Sequence, residues 1–148
     1  MNSWIAYLMI TVGTFIFMEG VAWFTHKFVM HGFLWALHKD HHQKKPHFFE
    51  KNDAFFLLFA IPSILLFFFG VRAGFNLMFY IGLGILLYGI AYFMIHDVVI
   101  HQRFRFFSRG KNRYVKTIKR AHKMHHKHLG KHNGESFGML FAARKYWQ

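Results

Sequence analysis

Three long apolar runs leave this chain few ways to fold. They cover residues 4–25, 54–71 and 75–95. As helices rising 1.5 Å per residue they would extend roughly 33, 27 and 31 Å, close to the ~30 Å hydrocarbon core of a bilayer. In that solvent every backbone polar group must be satisfied within the segment, so a spanning run of this length forms a helix. The expected fold is all-α and integral to a membrane, with about three transmembrane helices in a single domain of 148 residues. No Lys or Arg precedes the first run, which leads straight into His26, so it reads as a span and not as a cleaved leader. Pro62 interrupts the second run, while Gly82, Gly84 and Gly89 offer close helix approach in the third. Arg72, Ala73 and Gly74 form a tight turn between them.

The polar residues are segregated from these runs. Hydrophobic residues make up 54% of the chain, yet its formal net charge is +13. Of 19 Lys and Arg, only Arg72 lies between the second and third spans, and the other 18 fall in residues 27–51 or 103–145. With three spans, those 18 share one side, which the positive-inside rule makes cytoplasmic at the cell's inner membrane. With the same three spans, all thirteen histidines share that side. Because the basic residues flank spans, they read as headgroup contacts or a docking surface for an acidic redox partner, and nucleic acid is not an expected partner.

Ten of the thirteen histidines follow a pattern written twice: H-x4-H then H-x2-HH. The first copy is His26, His31, His38, His41 and His42; the second is His96, His101, His122, His125 and His126. Imidazole is a common ligand of transition metals, and ten donors exceed what one ion takes, so two metal ions are expected. Positions i, i+3 and i+4 of H-x2-HH lie within about 100° on a helix, whereas the H-x4-H pair lies about 140° apart. The latter suits a fraying span end, or one helix serving two metals. In the segment 113–127, Val115, Ile118, His122, His125 and His126 fall on one arc. Lys116, Lys119, Arg120, Lys123 and Lys127 fall on the next, which describes an amphipathic helix at the membrane interface closing over the site.

His47, His128 and His132 fall outside the pattern and are expected to be bystanders. Glu19, seven residues before His26, is either a proton-handling or ligand-supporting group or a structural hydrogen-bonding partner of another span. Asp40 and Asp97 adjoin ligand candidates and could orient imidazoles from behind. Without cysteine the chain holds no thiolate-ligated haem or iron–sulfur cluster, so electrons for redox-active metals would come from another protein. A different class, a zinc or nickel transport or storage protein, would use the same ligands. Such proteins place ionisable groups near the bilayer midplane, and this chain has only Glu19 within a span.

The pattern resembles that of the membrane fatty acid hydroxylase superfamily of non-haem di-iron enzymes. The local context, FMEG (17–20), HKFVMHG (26–32), EKND (50–53), YFMIHDVVIHQRF (92–104), AHKMHH (121–126) and SFGMLFA (136–142), resembles bacterial β-carotene 3-hydroxylases over nearly the whole length. The resemblance implies O2-dependent hydroxylation of a carotenoid β-ionone ring at C-3, twice per symmetric carotene, giving zeaxanthin by way of cryptoxanthin. It implies two Fe ions held by the ten patterned histidines, an electron donor such as ferredoxin, and a substrate entering from the bilayer. The alternative within enzymes is a fatty acid or sterol hydroxylase or desaturase of the same superfamily.

Overall fold

A computed structural model describes residues 3–43, 48–104 and 112–147. Among them every regular element is helical. In chain order they are α1 (Ser3–Phe24), a π-helical segment (Thr25–Phe33), α2 (Trp35–His42), a 3-10 turn (Lys51–Ala54), α3 (Phe55–Arg72), α4 (Leu77–Phe93), a second π-helical segment (Met94–Ile100), α5 (Arg113–Lys127) and a 3-10 turn (Arg144–Tyr146). Three continuous helical stretches are long and apolar enough to cross a membrane: Ser3–Phe33, Lys51–Arg72 and Leu77–Ile100. The first runs past the end expected at 25, because the π-helical segment continues α1 as far as a kink at Gly32.

The chain divides into two compact units, one of Met1–Glu19 with Ala54–Ala91 and one of Gly20–Asp53 with Tyr92–Gln148. In the first, small residues bring helices together. A Cβ on Gly84 would lie 2.6 Å from the Thr14 Cβ and 2.7 Å from the Thr11 carbonyl oxygen, and one on Gly82 would lie 3.1 Å from the Leu66 Cβ. Gly89, expected to do the same, has nothing within 4 Å of that position. Ser63 Oγ donates to the Gly82 carbonyl at 3.0 Å, Thr11 Oγ1 donates to the Tyr80 carbonyl at 3.3 Å, and Tyr7 stacks on Tyr80 at 4.1 Å. The Tyr88 hydroxyl donates to Glu19 Oε2 at 2.7 Å, so Glu19 bonds to another span, as its structural alternative required. Large side chains such as Phe56, Ile64 and Phe68 stay exposed, as lipid-facing residues would.

The turn after α3 is a Schellman motif: Gly74 N–H donates to the Val71 carbonyl and Phe75 N–H to the Gly70 carbonyl. Gly74 and Phe75 both have left-handed φ, 77° and 61°. That conformation cannot continue a right-handed helix, so α4 starts at Leu77, two residues after the expected 75, with Asn76 Oδ1 accepting from Met78 N–H.

In the second unit, Asn112 caps α5 by accepting from Tyr114 N–H at 2.8 Å. Thr117, Ile118, Ala121, His122 and His125 form its buried face, while Lys116, Arg120, Lys123 and Lys127 are exposed; Val115 and His126 of the inner arc read from the sequence, and Lys119 of the outer one, are half-buried. Residues 128–143 return along this unit without regular structure, held by Tyr114 Oη donating to the Leu140 carbonyl and Arg120 donating to the Tyr146 carbonyl.

Candidate metal centre

The ten patterned histidines all lie in the second unit. The two π-helical segments position the H-x4-H pairs, and neither pair sits at a frayed end. His101 N–H donates to the His96 carbonyl at 2.9 Å, an i→i+5 bond that closes a wider turn than the α-helix makes. Residues five apart then stack on one face, so His26 with His31, and His96 with His101, each serve a single cluster. Gly32 (φ −98°, ψ −123°) ends the first segment and lets the chain turn into α2.

The α-helical triplets do the opposite and divide between two clusters. The donor nitrogens of His26, His31, His38, His42 and His125 lie within 4.8 Å of one another and form cage one. Those of His41, His96, His101 and His122 meet the same limit and form cage two. Of the first triplet, His38 and His42 (one turn apart) enter cage one and His41 enters cage two; of the second, His125 enters cage one and His122 cage two. His126 belongs to neither set of donors, but its ring lies 4.5 Å from His122, 4.7 Å from His41 and 4.6 Å from His42.

Hydrogen bonding aims the rings of cage one inward. Nδ1 donates outward in all five: from His26 to the Phe137 carbonyl, His31 to Lys131, His42 to His128 and His125 to Glu135, at 2.9–3.1 Å, and from His38 to Asn52 Oδ1 at 2.6 Å. A neutral imidazole carries one N–H, so each Nε2 is left with a bare lone pair. Those lone pairs face one another at 3.1–3.3 Å. Facing lone pairs repel, and a cation between them turns that repulsion into ligation. Two nitrogens bound side by side to one ion at about 2.0–2.1 Å would sit about 3 Å apart, so the spacing fits.

In cage two, two of the four rings donate to carboxylates. His41 Nδ1 donates to Glu50 Oε2 at 2.7 Å and His96 Nδ1 to Asp97 Oδ2 at 3.1 Å. Nε2 of His41 faces that of His96 at 3.1 Å, and Nε2 of His101 faces that of His122 at 2.8 Å. The Arg103 guanidinium ties the acids together, with Asp53 at 2.7 Å, Asp97 at 3.2 Å and Glu50 at 3.5 Å. Nε2 of His126 is buried and has no hydrogen-bonding partner, an unpaired ring nitrogen at the edge of this cage.

Burial keeps the rings neutral, as metal ligands must be. It drives His38 and His125 down to about 2, His126 to about 3 and His42 to about 4, with neighbouring imidazoles adding to the effect; His41 and His122 fall well below the usual histidine value for the same reasons. Burial also raises the Glu50 carboxyl, against the pull of Arg103.

Asp97 stands behind an imidazole as expected, but Asp40 does not: its Oδ2 accepts from Lys51 N–H at 2.7 Å and so anchors the turn that carries Asn52. His132 is exposed, and His128 contributes its backbone carbonyl to His42. His47 lies outside the described residues. Sequence reasoning missed Glu50, Asn52, Asp53 and Arg103 as partners of the site. The signal was there in EKND, which concentrates two of the chain's six acids at the mouth of an apolar span. The carbonyls of Lys131, Glu135 and Phe137 carried no signal, since any residue has one.

All-helical among the described residues, with three membrane-length helices and two all-imidazole cages there, this is a membrane protein built around paired candidate metal sites. The family model described as Fatty acid hydroxylase matches residues 11–143. The chain belongs to that family. It is 41% identical to a β-carotene hydroxylase of Pantoea ananas, over 94% of this chain and 79% of that one. It is 36% identical to a β-carotene hydroxylase of Paracoccus sp. strain PC1, over 90% and 83%, and 36% identical to a chloroplastic β-carotene 3-hydroxylase of an Oncidium hybrid, over 92% and 45%. No solved structure matches the chain.

Proposed function

We propose that this protein is a carotenoid hydroxylase that uses two histidine-held irons and O2 to hydroxylate a β-ionone ring at C-3, taking β-carotene to β-cryptoxanthin and zeaxanthin. The observation that carries the reading is the convergence of imidazole nitrogens in both cages, with seven of the nine rings aimed by an outward Nδ1–H bond. Similarity to proteins named β-carotene hydroxylases supports the substrate, and the name 3-hydroxylase of the plant relative supports the position. His26, His31, His38, His42 and His125 would hold one iron; His41, His96, His101 and His122, joined by His126, would hold the other. Bound iron would supply the redox chemistry that activates O2 toward an unactivated C–H bond.

The chain's own residues would orient and exclude. Phe137 and Trp35 pack against the rings of cage one at 5.2–5.9 Å, and Tyr92 packs against His96 at 5.1 Å, which keeps water from both cages. A small cleft lined by Ile100, Ile118, Ala121, Ser136, Met139 and Phe141 reaches His122. Electrons would come from an external donor such as ferredoxin, the substrate from the bilayer, and the distribution of basic residues supports an inner-membrane protein with its histidines on the cytoplasmic side. Expression in bacteria that accumulate β-carotene tests this. Hydroxylated carotenoids in the pigment extract are expected; unchanged β-carotene beside newly hydroxylated or desaturated lipids would move the reading to the alternative substrate of the family.

A further inference from the structure

The two cages differ in what stands behind their ligands. All five imidazoles of cage one donate to neutral oxygens, four backbone carbonyls and the Asn52 amide. In cage two, His41 and His96 donate to the carboxylates of Glu50 and Asp97. The chain has only six acidic residues, and three of them, Glu50, Asp53 and Asp97, meet at Arg103. Three carboxylates against one guanidinium leave an excess of two negative charges beside cage two, in a protein whose overall charge is +13. A carboxylate behind a histidine raises the basicity of the donor nitrogen, and negative charge nearby attracts a cation directly.

We propose that the two cages are unequal metal sites, with cage two, backed by Glu50, Asp97 and Asp53, binding a divalent metal more tightly than cage one. Glu50 and Asp97 are positioning residues that also set this preference by their charge, and Arg103 limits the excess. The inference rests on the metal reading above, and concerns how the metal divides between the cages. Cage one has more donors, so a count of ligands alone ranks the sites in the opposite order.

Two variants separate charge from geometry, because each keeps an oxygen acceptor for the same Nδ1–H. Glu50→Gln removes the charge behind His41, and Asn52→Asp adds one behind His38. The full-length protein, stripped with chelator in detergent, is titrated with Co2+ and followed by its visible absorption; circular dichroism checks that each variant remains folded. The unaltered chain should take up two equivalents in two resolved steps. Glu50→Gln should weaken the tighter step by 10–100-fold and leave the other in place. Asn52→Asp should strengthen the weaker step and bring the two together. Two equal steps in the unaltered chain, Glu50→Gln acting on the weaker step, or no change in either variant would overturn the inference while leaving the metal reading intact. No uptake of Co2+ at all would overturn both.

Discussion

His126→Leu should separate the stability of the stripped protein from its loading with iron. Nε2 of His126 is buried with no hydrogen-bonding partner. An unmet buried polar atom costs about 1–3 kcal/mol, and leucine removes it. The same substitution loses the contact with His42, whose ring lies 4.6 Å away at 25°, and such stacked pairs contribute roughly 0.5–1.5 kcal/mol. The two combine to a change between a loss of about 0.5 and a gain of about 2.5 kcal/mol, so the stripped protein should be as stable as the unaltered chain or more so. The iron-loaded protein should lose, because no other side chain can take over the position of a ligand at the edge of cage two. Thermal unfolding of stripped protein, metal content of iron-grown protein and pigment profiles read the three consequences. A stripped protein destabilised by more than about 2 kcal/mol would show that the ring has a structural role this account lacks. Full hydroxylation at normal abundance would show that His126 is not a ligand.

Replacing any one of His38, His41, His42, His122 or His125 by Ala should abolish hydroxylation with protein still present on a blot, whereas His128→Ala and His132→Ala should keep it, since His132 is exposed and the part of His128 that serves the site is its carbonyl; product loss in His132→Ala would place the ligand boundary further along the chain. For acid stability, His38, His42, His125 and His126 have folded values of about 2 to 4 against 6.5 when unfolded, so below pH 6.5 the unfolded chain binds more protons. The stripped protein should therefore be steady above pH 7 and lose stability progressively as pH falls from about 6.5 toward 4, and a melting temperature unchanged between pH 7.5 and 5 would contradict this burial. Tyr88→Phe removes one hydrogen-bond donor from buried Glu19 and should cost about 1–3 kcal/mol of stability. Iron content should not change, and its loss would return Glu19 to a role at the metal site.

Much of the architecture was legible because the bilayer sets strict terms. Helix length, the exclusion of charge from spans and the need to satisfy backbone groups locally are one-dimensional constraints, so residues 4–25, 54–71 and 75–95 could be read directly. The histidine pattern was legible for a similar reason, since ligand spacing reflects helical periodicity. The limit came where helical periodicity itself changed. The wide H-x4-H pairs made sense only once the backbone at His26–His31 and His96–His101 adopted i→i+5 bonding, a choice that local propensity does not encode.

What the sequence determined by itself is therefore the all-helical membrane fold, the ten candidate ligands and the expectation of two metals. Tertiary structure alone decided how those ligands divide, sending His38 and His42 to one cage and His41 to the other, and parting His125 from His122. It also decided which groups aim them. Asn52 and Glu50 become partners of imidazoles only because the turn at Lys51–Ala54 is pinned by Asp40, and the carbonyls of Lys131, Glu135 and Phe137 matter only because residues 128–143 fold back over cage one. Hydrogen bonds to backbone oxygens depend on where the chain passes and not on which residue passes there, so no reading of residue types could have found them.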